Sequence, residues 1–130
     1  MTTGPVSDLH AMLAGMEPAM LDDHGWQFVE GTSEGAEAQA FAVIREAEGA
    51  TLVVKADRAK EAASFARITL QVHSALDGVG LSAAVSTALA EAGIACNVIA
   101  AFHHDHLFVP WGCREEAMAI LKGLSEKAQG

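Results

Sequence analysis

Apolar and polar positions follow two rhythms along the chain. Leu9, Met12, Leu13 and Met16 recur at i, i+3, i+4 and i+7. That is one face of an amphipathic helix over residues 7–16, with Ser7 as its N-cap and Gly15 and Pro18 ending it. In Trp26-Gln27-Phe28-Val29-Glu30, Trp26 and Phe28 share one face of a strand. Residues 31–37 are polar and glycine-containing, which predicts a loop too short for a packed crossover helix. Two apolar runs, 41–45 and 51–55, are joined by Glu46-Ala47-Glu48-Gly49, a hairpin in which Gly49 suits a positive-φ position. Asp57 then caps a short helix reaching about Phe65.

The second half carries stronger signals. Ile68, Leu70 and Val72 alternate with Thr69, Gln71 and His73, a half-buried strand. After the loop 74–80, Leu81, Val85, Leu89 and Ala92 line one face of a helix, and Gly93 follows as its C′ residue. Residues 97–103 pair with 106–109 in a second hairpin that Pro110 ends. A last helix over about 114–126 places Ala117, Ile120, Leu121 and Leu124 at core spacing. Sliding Leu52-Val53-Val54 onto Leu107-Phe108-Val109 also brings Glu61-Ala62 onto Glu116-Ala117, an internal repeat of hairpin plus helix.

A strand–helix–hairpin–helix run is the ferredoxin-like split βαβ arrangement less its final strand. An uncovered sheet edge invites aggregation, so two incomplete sandwiches completing one another are expected. The expected fold class is α+β: ferredoxin-like sandwiches in tandem, an antiparallel sheet with helices packed on one face. Residues 1–65 form a degenerate half and 66–130 the fuller domain.

Charge and cysteine use narrow the function. There are 8 Lys+Arg against 17 Asp+Glu, a net charge of −9. Such a surface repels phosphate backbones and anionic lipid, so neither nucleic acid nor membrane is an expected partner. The N-terminal run has no cationic start followed by an apolar block, and the most apolar window, 92–102, is too short to span a bilayer. Cys96 and Cys113 lack metal or redox spacing and read as reduced thiols of a cytoplasmic protein.

No P-loop, dinucleotide glycine fingerprint or zinc-protease helix is present, and no cofactor is expected. Ser74 and His73 are adjacent in an extended run and point to opposite faces, while Cys113 has no base in view. An enzyme is not expected.

Two segments carry candidate chemistry. In the loop from Ser74 to Leu81, glycines admit close backbone approach and a helix N-terminus behind them favours a carboxylate. Asp77 there attracts an ammonium group or caps the helix, and Asn97 offers a donor and an acceptor. In His103-His104-Asp105-His106, a turn at His104-Asp105 would set His103 and His106 opposite each other, a candidate pair for zinc or nickel. The other reading is a polar hairpin tip.

The runs from Ile68 to Ala84 and from Leu89 to Ala100 resemble the first strand, loop, helix and second strand of an ACT domain. His103 to Pro110, and Phe41 to Val54 in the first half, are similar to the small stand-alone tandem-ACT proteins of bacteria, related to the regulatory part of aspartate kinases. The resemblance spans residues 7–125. It implies a regulatory fold binding an amino acid or other small ligand between paired domains, with Ser74, Asp77, Val79, Gly80, Leu81 and Asn97 as ligand contacts. A homodimer joined through sheets or helices is expected, because paired sites need a neighbour. Two departures stand out: the first half lacks the helix after its first strand, and the second lacks a closing strand. The competing class is a protein-interaction or structural module with no small ligand, in which the glycine loop is only a turn.

Overall fold

Each hairpin predicted from the alternating pattern forms, and each adds a third strand to itself. The computed structural model describes residues 8–31 and 33–130. A short helix α1 (Leu9–Ala14) and the two-residue strand β1 (Pro18–Ala19) come first. A first strand set follows: β2 (Trp26–Gly31), β3 (Ala42–Glu46) and β4 (Gly49–Lys55), with helix α2 (Glu34–Gln39) between β2 and β3. A 3-10 segment, Arg58–Ala63, leads to the second set. That set is β5 (Phe65–Leu70), β6 (Asn97–Ala100) and β7 (Asp105–Pro110), with α3 (Leu81–Glu91) before β6 and α4 (Arg114–Gln129) after β7.

The strands join one antiparallel sheet in the order β3-β4-β2-β5-β7-β6. The two sets are thus mirror-ordered about β2 and β5, each filling the place of the other's missing fourth strand. The junction is narrow. Trp26 opposite Phe65 is its register pair, and β1 covers the far end of β5 through Pro18–Leu70 and Ala19–Thr69.

The repeat seen in the sequence places β4 and β7 equivalently: Leu52 and Leu107 are both buried, as are Val53 and Phe108. Helices cover one face of the second set. Ala66, Ile68, Leu70, Leu107 and Val109 pack there with Met12, Met16, Leu81, Val85, Leu89 and Leu121. The opposite face presents Phe65, Arg67, Phe108 and His106, and the first set curls over it. Trp26 and Val53 join Phe108 in a second core cluster, with Phe41 and Phe65 packed against it. Phe28 meets Phe65 and Phe108 edge-to-face at 5.6 and 5.3 Å between ring centres.

Several local expectations change. Ser7 lies outside the described residues, and Asp8 caps α1 instead, accepting from the Ala11 amide at 2.9 Å. The predicted loop 31–37 contains the start of α2, nucleated by Ser33, whose hydroxyl accepts from Ala36 N at 3.2 Å. So the first half does have a helix after its first strand, though none of its residues is buried. The strand expected at 68–72 begins at Phe65 and ends at Leu70, and Thr69 is as buried as its apolar neighbours because the first set covers that face. The first hairpin holds: Ala47 and Glu48 form its turn, and Gly49 takes φ +142°.

At the junction Gly25 is buried, and a Cβ there would sit 1.9 Å from Ser64 Oγ. Gly112 has open space at the same position and no positive φ. Gly25→Ala is expected to lower stability by about 2 kcal/mol or more in urea unfolding, whereas Gly112→Ala stays within about 0.5 kcal/mol. Equal midpoints for the two variants would show that the junction is not tightly packed.

Candidate functional site

The end of β5 and the start of α3 bracket a turn that brings polar groups together. Leu70 pairs with Asp105 at the start of β7, so the chain leaving β5 passes directly over that carboxylate. Ser74 Oγ donates to Asp105 Oδ2 at 3.3 Å, and Gly78 N donates to Ala75 O at 3.0 Å to close the turn. Gly80, at φ +106°, caps α3. Ala84 N bonds to Gly80 O at 2.8 Å, which leaves the amides of Leu81, Ser82 and Ala83 ahead of the first intrahelical bond.

These groups line a cleft of 110 Å3 between loop, helix and β7. Asp105, only 8% exposed, forms one wall, and the first turn of α3 the other. Burial raises the Asp105 carboxyl above its ordinary value, while the Ser74 hydrogen bond and the charge of His104 act the other way. Helix α1 closes one side. A Cβ on Gly80 would meet the Leu9 side chain at 3.1 Å, and one on Gly78 would meet Met12 Sδ at 3.3 Å. The loop glycines therefore make room for α1 as well as shaping the turn.

The structure brings together Ser74, Gly80 and Leu81 in the cleft, but not the other residues singled out in the sequence. Asp77 is exposed and lines an adjoining apolar surface with Leu76 and Phe102, and Val79 is 82% exposed. Asn97 lies opposite Phe108, about 10 Å along β6 from Ala100, the residue of that strand that does reach the cleft. Asp105 and Met12 also line the cleft, and neither stands out in the sequence as a contact for a small ligand.

The pairing of His103 with His106 is also overturned. Ala101 N bonds to His104 O at 3.0 Å, so Phe102 and His103 form the turn. His103 sits at the tip with His73 as a neighbour, ring centres 5.5 Å apart. His106 lies in β7 against Phe41 and bonds through Nδ1 to Thr69 Oγ1 at 3.1 Å. Among the described residues no three metal-binding side chains converge.

A second polar focus lies where the two strand sets meet. Arg67 donates Nε and Nη2 to the two carboxylate oxygens of Asp22 at 3.0 and 2.9 Å, and Trp26 Nε1 donates to the same carboxylate at 2.9 Å. The guanidinium also lies over the rings of Phe41 and Trp26, at 4.3 and 4.9 Å. Burial alone would raise the Asp22 carboxyl, but the hydrogen bonds from Arg67 and Trp26 and the Arg67 charge outweigh it and hold it below its ordinary value.

Comparison with known proteins follows the two halves. Family models described as ACT domain match residues 66–123 and residues 5–66. A Vibrio cholerae protein of unknown function, described as a possible transport protein, is 39% identical. The match covers 90% of this chain and 95% of that one, with a TM-score of 0.73. An Agrobacterium tumefaciens protein shares the fold at 19% identity and a TM-score of 0.56, over 78% of this chain and 82% of that one. No curated protein matches the chain.

The two carboxylates predict opposite pH responses. With its value raised on folding, Asp105 binds a proton more tightly in the folded state, so its contribution is full below the unfolded value and lost as pH rises through the folded one. Without ligand, Asp105→Asn is expected to be more stable than the native protein at pH 7, the gap closing below about pH 4. Asp22, lowered on folding, contributes above its unfolded value and loses that contribution as pH falls through the folded one. Asp22→Asn is therefore expected to be destabilised at pH 7 and to approach the native protein in acid. Urea unfolding across this pH range checks both, and parallel curves for either variant would refute its assignment.

Proposed function

Because the chain belongs to the ACT-domain family, whose members are typically small-ligand regulatory modules rather than catalysts, we propose that it is a non-enzymatic sensor of a small amino acid. The observation that supports this is the opposition of two unlike groups across one cleft. The buried carboxylate of Asp105 faces the amides of Leu81, Ser82 and Ala83, which precede the hydrogen-bonded part of α3. An α-ammonium meets the first and an α-carboxylate the second. Ser74 orients Asp105. At 110 Å3 the cleft is smaller than most ligand pockets, which restricts the side chain to a small one.

On this reading the protein acts in the cytoplasm as two ACT units, residues 1–65 and 66–130. It works as a homodimer whose copies pair through β6, the outer strand of the second set. No helix among the described residues is long and apolar enough to cross a membrane. The second reading, an interaction module without a ligand, draws on one observation: Leu9 and Met12 already rest on the loop glycines.

A thermal-shift series with glycine, alanine, serine, threonine and aspartate separates the two readings. A ligand at ten times its Kd is expected to raise Tm by about 4–8 °C, an increase lost in Asp105→Asn. Unchanged melting with every one of these amino acids would leave the module reading standing.

A further inference from the structure

We infer that a second site, for a small organic carboxylate, lies in the cleft between the β1–β2 connection and the start of α4. The cleft has a volume of 340 Å3, three times that of the loop site, and shares no lining residue with it. In a chain with 8 Lys+Arg against 17 Asp+Glu, two arginines line this one cavity, Arg67 and Arg114.

The two are not equivalent. Arg67 spends its charge on Asp22 through two hydrogen bonds. Arg114 has no such partner, since the ion pairs among the described residues are Arg45–Glu37 and Arg67–Asp22. Its guanidinium is nevertheless held in place. It lies over Trp111 at 3.9 Å, and Nη1 donates to the Trp111 carbonyl at 2.7 Å. A half-buried guanidinium, fixed by an aromatic ring and with most of its donor fork unspent, is prepared for a carboxylate.

The remaining walls set the rest of the ligand. Met20 and Trp111 supply an apolar side, and Asp23 and His24 a polar rim. With Asp22 and Asp23 lining the cavity beside the two arginines, and a net charge of −9, a dianion such as phosphate is disfavoured. A monocarboxylate with a hydroxyl group for Asp23 fits the wall chemistry. The neighbouring cleft of 280 Å3 carries no such preference, because Asp23, Asp57 and Glu61 there outnumber Lys55 and Arg58.

Glycolate, with inorganic phosphate as comparison, tests the site in the full chain. The arginine side-chain Nε–H resonances report without any substitution: glycolate is expected to shift the Arg114 signal saturably, and phosphate to shift it weakly. Arg114→Gln is expected to weaken glycolate binding at least tenfold, while Asp105→Asn leaves it unchanged. The two sites therefore fail separately. An Arg114 resonance unmoved by glycolate, or binding lost in Asp105→Asn and kept in Arg114→Gln, would overturn the assignment.

Discussion

The guanidinium of Arg67 holds the two halves of this molecule to one another. Between β2 and β5 the register provides only the pairing of Trp26 with Phe65, too little backbone to fix the angle between two strand sets. Side chains must do the rest. Arg67 projects from β5 onto the rings of Trp26 and Phe41, both from the first half, and is gripped by Asp22 from the connection ahead of β2. With 14% of each side chain of the ion pair exposed, the charges are largely out of water. Breaking such a pair by removing one partner is far costlier than never having built it.

That constraint explains the unequal halves. The second set has α3 and α4 on one face, as a ferredoxin-like unit requires, with α1 added from the start of the chain. The first set has only α2, which buries nothing, and a 3-10 segment. Its strands carry little helical cover of their own. They serve as the cover for the back of the second set, where Phe28, Phe41, Phe65 and Phe108 gather around Trp26 and Val53. Four of the chain's five phenylalanines are in this layer, so a low aromatic content still suffices to close the sheet.

Elements with strong local periodicity were legible in the sequence, and those fixed by distant contacts were not. Leu81, Val85 and Leu89 announced α3, and Gly93 with φ +75° ended it as expected. Helix α2 has no apolar stripe and shows only through the Ser33 cap. Thr69 reads as a solvent-facing position until the first half folds over it. The misplaced Asn97 has a directional cause. β5 and β6 both run antiparallel to β7 and are thus parallel to each other, so the end of β6, not its beginning, lies beside the loop that follows β5. Asp105 looks like a turn residue in the sequence because its burial depends on the Ser74 loop crossing above it.

Two grips on one backbone carbonyl have a consequence for how the chain comes together. Ser125 Oγ and Gln129 Nε2, both on α4, donate to the carbonyl of Ala14 at 3.2 and 2.7 Å. These contacts join residues separated by 111 and 115 positions. During synthesis α1 emerges from the ribosome long before α4 exists to hold it, and Met12 has no α4 to pack beside meanwhile. The loop-closure cost of so long a span grows only slowly with its length, so the packing of α1 on α4 around the clasp can offset it.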